Sequence, residues 1–143
     1  MLDTPLRSGF YRVGANSGAV GTVQDRVVVY SEQLFYLEHI SGSTYQIYRD
    51  GGGSVQQSPD YRLVIQQGVT PEEWDITRYN NDQDIYTIVA TDNTSLGWTD
   101  PGGPIGPNHQ LYLNAFDPNN VPAAQRFVLL YAYGVRGSVQ KRR

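Results

Sequence analysis

Four groupings in this chain have residue types suited to chemistry: His39 and His109, the pair Glu72-Glu73, the serines, and the mixture Asp92, Asn93, Trp98 and Asp100. A metal centre needs ligands at short fixed spacing, and neither histidine has a second histidine or a carboxylate placed to make one. Glu72-Glu73 follows Pro71 and abuts Trp74, so it reads as a solvated strand entry rather than an acid–base pair. No serine sits in a nucleophile-elbow motif. Cysteine is absent, which excludes thiol nucleophiles, Cys-ligated zinc and a disulfide framework. The chain is therefore expected to bind rather than catalyse, with no metal or cofactor. Asp92, Asn93, Trp98 and Asp100 fit a different chemistry, because sugar sites combine an aromatic face with Asp and Asn groups that take hydroxyls. The sequon Asn93-Thr94-Ser95 also matches a glycosylation acceptor. Gly51-Gly52-Gly53 has neither the lysine nor the helix start of a phosphate loop and reads as a strand connection.

These groups must be positioned by short strands. With 39% hydrophobic and 17% charged residues, 15 Gly, 8 Pro and 11 Tyr, the chain is turn-rich, weakly charged and aromatic, which is the composition of an all-β domain. Its 143 residues suit one domain that folds without disulfides. A net charge of −3 argues against nucleic acid as partner, since phosphate binding needs clustered basic charge. No apolar run approaches membrane-spanning length, and Met1 to Arg7 lacks a signal-peptide core; the expectation is a cytoplasmic protein without membrane insertion. The sequence does not fix its oligomeric state.

The clearest local signal is Trp74-x-Ile76, a polar break from Tyr79 to Asp84, then Tyr86-x-Ile88. Alternation on both sides of a turn predicts a hairpin. The pattern recurs as Phe35-x-Leu37 before Tyr45-x-Ile47, and again at Phe127-x-Leu129, with a period near 40 residues. Such a period marks a repeat architecture. Three modules, at about 9–41, 43–80 and 84–132, each offer four short strands. A propeller of this period needs four or more blades, so the prediction is a β-trefoil over 1–132: a six-stranded barrel capped by three hairpins, closed so that no edge is left open. Phe35, Trp74 and Phe127 then form one symmetric core layer. Residues 133–143 are expected to be a flexible basic tail.

Two resemblances add expectations. Gln33, Glu72 and Gln125 each precede a core aromatic by two residues, which is similar to the Gln-x-Trp signature of ricin-type trefoil lectins. Trp is kept only in the second module, and Gln only in the first and third. More of the chain resembles the small fungal β-trefoil serine-protease inhibitors, cospin-like and cnispin-like, related in fold to the mycocypins. The residues that carry this resemblance are 8–13, 71–76 with 86–88, 96–101 and 125–129. It implies defence by insertion of a substrate-like loop into a serine protease, with affinity drawn from pre-ordering the loop. Trypsin-like proteases favour Arg or Lys in their specificity pocket. In cospin-like inhibitors the reactive loop joins the second and third strands, here Gln24-Asp25-Arg26, so Arg26 is the first candidate. Arg49 is the second, and the loop containing Asn119 and Asn120 is the third, although it lacks the lysine of cnispin-like inhibitors. The competing expectation is a lectin that binds glycans or glycoproteins through Asp92, Asn93, Trp98 and Asp100.

Overall fold

The computed structural model describes residues 5–79 and 84–134 of the chain. The described residues form twelve strands and one short 3-10 turn: β1 Gly9–Ala15, β2 Gly18–Val23, β3 Arg26–Val29, β4 Leu34–Ser41, β5 Thr44–Arg49 and β6 Ser54–Gln57. They continue with β7 Leu63–Gln66, β8 Glu73–Arg78, β9 Ile85–Ala90, β10 Leu96–Thr99, β11 Tyr112–Ala115 and β12 Phe127–Tyr133. Their pairing repeats three times. Strands β1, β4, β5, β8, β9 and β12 pair in a closed antiparallel ring, each with two neighbours, and β12 returns to β1. The remaining strands form the hairpins β2–β3, β6–β7 and β10–β11. These hairpins are tied to one another by Arg26 with Val64, Val28 with Gln110, and Arg62 with Tyr112. Ring closure leaves the barrel without a free edge for another chain to extend. The architecture is the β-trefoil expected from the three modules.

The alternating residues that suggested the hairpin fill the core. Phe35, Trp74 and Phe127 are 1%, 0% and 0% exposed, and Trp98 joins them edge-on, 5.5 Å from Trp74 and 6.0 Å from Phe127. Rings set edge to face gain quadrupole attraction beyond the area they bury. At one end of the barrel, the module-opening tyrosines Tyr11, Tyr45 and Tyr86 are buried, and Leu6 and Arg7 accept hydrogen bonds from the Tyr45 and Tyr11 hydroxyls.

The polar residues two positions before the core aromatics are threefold braces. Gln33 Oε1 accepts from Thr22 N and Oγ1. Glu72 accepts from Gln57 N at 2.8 Å and from Gln57 Nε2 at 2.5 Å, and Gln125 Nε2 donates to Thr99 Oγ1 at 3.1 Å and to Ala115 O at 2.9 Å. Each ties the strand that ends a module back to the module's second strand. In module two the brace is a carboxyl: burial lifts its pKa, Asp92 adds to the rise, and the bonds from Gln57 oppose it.

Two boundaries differ from the sequence expectation. By its sequence the run His109-Gln110-Leu111-Tyr112-Leu113 reads as the third strand of the third module, but β11 starts at Tyr112, because His109 turns inward to a buried partner and Gln110 bridges to Val28. β12 continues to Tyr133, whose ring packs 5.1 Å from Phe10. The break at 80–83 and the tail at 135–143 lie outside the described residues.

Candidate functional site

The connection from β2 to β3 is as short as a hairpin allows. Val23 pairs with Arg26, so Gln24 and Asp25 are the whole turn, with Gln24 at φ 58°. Arg49 fixes it: Nη1 donates to Gln24 O at 3.1 Å and Asp25 Oδ1 at 3.2 Å, while Nε donates to Gly52 O at 2.9 Å. Half-buried Arg26 reaches Asn108 Oδ1 at 3.4 Å. The structure therefore brings Gln24, Asp25, Arg26 and Arg49 together, but in a tight, bonded turn. Only Gln24 and Asp25 lie between the paired residues Val23 and Arg26 there, so the segment expected as a substrate-like loop is a two-residue hairpin tip.

The four residues expected to hold a sugar are not gathered in one place. Trp98 is 2% exposed and packs in the central aromatic layer, so its ring offers no face for stacking. This corrects the reading of Trp98 as a platform: alternation along β10 turns the ring inward. Asp100 is also buried, so it cannot take ligand hydroxyls. Asp92 is exposed and faces Gln57 Nε2 at 3.3 Å. Asn93 is exposed in the β9–β10 turn, where its Oδ1 accepts from Ser95 N at 3.1 Å.

Asp100 belongs to a network whose composition resembles a hydrolase triad. His109 Nε2 lies 2.6 Å from Asp100 Oδ1, with side chains 3% and 1% exposed. Ser17 donates from N at 2.8 Å and from Oγ at 2.6 Å to Asp100 Oδ2. His109 Nδ1 faces Pro104 O at 2.8 Å, and Gly102 N donates to Asp100 Oδ1 at 2.8 Å. An acceptor facing each ring nitrogen favours the protonated imidazole. Burial acts against both charges, and the hydrogen bonds outweigh it: bonds to Pro104 and Asp100 raise the His109 pKa, and donors from Ser17, His109 and Gly102 lower that of Asp100. A nucleophilic triad places the histidine between serine and acid. Here the acid takes the serine proton: Ser17 Oγ is 2.6 Å from Asp100 Oδ2 and 3.3 Å from His109 Nε2, with Asp100 and His109 buried and Ser17 partly exposed. The role of the network is to clamp the ends of the 101–108 loop to the β1–β2 turn.

An open concavity of about 770 Å³ lies between the outer face of β8–β9 and the connection from β11 to β12. Because Trp74 and Ile76 point inward, the neighbouring positions Asp75, Thr77 and Tyr79 point outward and form its floor with Thr87. The β9–β10 turn contributes Thr94 and Ser95. The opposite wall is Phe116, Pro118, Asn119, Asn120 and Val121, with Arg126 at one end. This wall is bonded in place. Phe116 N donates to Ser95 O at 2.7 Å, Asn120 N to Asp117 O at 3.0 Å, and Asn119 N to Asp117 Oδ1 at 2.9 Å. Arg126 donates from Nε at 3.2 Å and Nη2 at 2.9 Å to Val121 O, with its guanidinium 4.6 Å from the Tyr79 ring centroid. Phe116 lies against Gly97, where a Cβ would meet its ring at 3.0 Å. Asp75 Oδ1 accepts from Ser43 at 3.1 Å and Thr44 at 3.4 Å.

The arrangement thus sets an aromatic ring beside amides, hydroxyls, a carboxylate and a guanidinium on a preformed wall. Of the residues expected from sequence, it includes Asn119 and Asn120 and lies next to Asn93. Sequence reasoning missed Asp75, Thr77, Tyr79, Phe116 and Arg126. The alternation along β8 that identified Trp74 and Ile76 as core marks the first three as outward-facing. Among the described residues, no group of three His, Asp or Glu side chains could hold a metal ion.

No protein-family model matches the chain, and no curated protein sequence matches it. Solved structures do. The Macrolepiota procera ricin B-like lectin, in complex with lactose, superposes with a TM-score of 0.70 at 14% identity, covering 91% of this chain and all of that one. The Rhizoctonia solani agglutinin gives a TM-score of 0.70 at 12% identity, covering 92% of this chain and all of that one. Full coverage at such low identity is a likeness of fold, and with the closed six-strand ring and three capping hairpins it identifies this chain as a β-trefoil.

Proposed function

We propose that this protein is a non-enzymatic carbohydrate-binding module and that the sugar docks in the cleft between β8–β9 and the 116–121 wall. The observation that carries the reading is the convergence of Phe116, Asn119 and Asn120, on a wall already fixed by backbone bonds, with Asp75 on the facing floor. A sugar ring presents an apolar face to an aromatic and hydroxyls to amides and carboxylates, so this combination suits it. Pre-ordering lowers the entropic cost of binding. The fold likeness to two lectins, one of them solved with lactose, supports the same class of ligand, while fold alone does not assign function. Serine-protease inhibition gains no comparable support, because Arg26 sits in a two-residue turn.

A glycan array tests the proposal. Binding to a defined set of glycans, lost in Asn119→Ala/Asn120→Ala and weakened in Phe116→Ala with the fold intact, is the expected result. Binding that survives both variants moves the site elsewhere; an array with no bound glycan rejects the reading.

A further inference from the structure

We infer that the cleft selects acidic glycans, chains whose recognised residue carries a carboxylate, and that Arg126 is the group that reads it. The inference rests on the carbohydrate reading above and adds a ligand class to it.

The cleft is polarised along its length. Asp75 lies at one end, and Tyr79, with Arg126 stacked over it, lies four residues further along the chain, about 13 Å away at the rise of an extended strand. Asp75 is occupied through Oδ1 by the hydroxyls of Ser43 and Thr44. Arg126 makes no ion pair with a described residue. Two of its N–H groups converge on Val121 O and its plane lies over Tyr79. The three remaining N–H donors of the fork stay oriented with no carboxylate among the described residues to receive them. A planar fork held this way matches a carboxylate with little further loss of side-chain freedom.

The setting sharpens the selectivity. The chain as a whole carries −3, which repels polyanions at long range, so the local fork suits one acidic group on an otherwise neutral chain. The hydroxyl-binding amides Asn119 and Asn120 line the same wall, so both halves of an acidic sugar find partners in one cleft.

The test uses the intact protein and matched glycan pairs on one array, each neutral chain beside its counterpart ending in a sialic or uronic acid. The acidic members are expected to bind at least about ten-fold more tightly, the scale of a charge-assisted bidentate contact, with affinity falling as salt rises. Arg126→Gln brings the acidic-to-neutral affinity ratio close to one, and the ratio rather than either affinity alone is what the comparison reads. Arg126→Lys keeps charge without the fork and retains only part of the preference. Thermal melts confirm that the Val121 contact has not cost the fold, and the salt dependence of the unmodified protein gives a second readout independent of any variant. Equal or stronger binding of neutral members, or a preference untouched by Arg126→Gln, overturns the inference and leaves the carbohydrate reading standing. Binding to neither class overturns both.

Discussion

The Ser17–Asp100–His109 network makes a quantitative prediction about stability. Asp100→Asn removes one charge of a pair whose side chains are 1% and 3% exposed. Removing one partner of a buried pair costs about 3–5 kcal/mol, because the other charge is left buried without compensation. For a domain of this size, about 3 °C of melting temperature is lost per kcal/mol, so the midpoint should fall by roughly 10–15 °C near pH 5–6. The pH dependence follows from the two shifts. His109 is raised in the fold, so its contribution is complete below the unfolded histidine value of about 6.5 and is lost as pH climbs through the folded value. Asp100 is lowered, so its contribution is complete above the unfolded aspartate value of about 3.9 and is lost as pH falls through the folded value. Stability should therefore plateau between about pH 4 and 6.5 and decline on both sides. Circular-dichroism melts of wild type, Asp100→Asn and His109→Gln from pH 3 to 10 measure this. Both variants should lose the alkaline decline. A wild-type midpoint that stays level from pH 6 to 10, or variants that keep the wild-type curve shape, would refute the reasoning.

Three further outcomes follow from packing. Trp74→Ala empties the aromatic layer and should cost about 3–5 kcal/mol, measured by chemical denaturation. Gln33→Ala orphans Thr22 N and Gln125→Ala orphans Ala115 O; each should cost about 1–3 kcal/mol, with faster amide exchange confined to the braced segment. Gly97→Ala places a Cβ 3.0 Å from the Phe116 ring, which should shift the ring and weaken glycan binding by roughly 3–10-fold, the scale of a lost stacking contact, while the melting temperature changes by only a few degrees. Unaltered affinity in that variant would remove Phe116 from the site.

The fold was legible because a β-trefoil repeats its core. The Trp74–Ile76 and Tyr86–Ile88 alternation, compared with Phe35 and Phe127, gives the barrel strands directly, since inward positions at two-residue spacing are what burial demands. The cleft was less legible. Its floor is the other half of the same alternation, where any polar residue is tolerated, and its far wall is the β11–β12 connection, whose path depends on backbone bonds such as Phe116 N to Ser95 O. Trp98 misled for a related reason. Its polar neighbours Asp92, Asn93 and Asp100 suggested a surface ring, yet Asp100 is itself buried against His109, a pairing across the 101–108 loop that composition does not announce. Arg26 has the residue type of a protease-directed side chain, and only the register of Val23 with Arg26 shows how short its turn is.

The central claim is that a sugar occupies the cleft between β8–β9 and the 116–121 wall. Its most direct measurement is an NMR titration of isotopically labelled protein with the strongest glycan from the array. Saturable shifts should concentrate at Asp75, Thr77, Phe116, Asn119, Asn120 and Arg126, with the 24–26 turn unchanged. Saturable shifts centred on another face, with these residues silent, would contradict it.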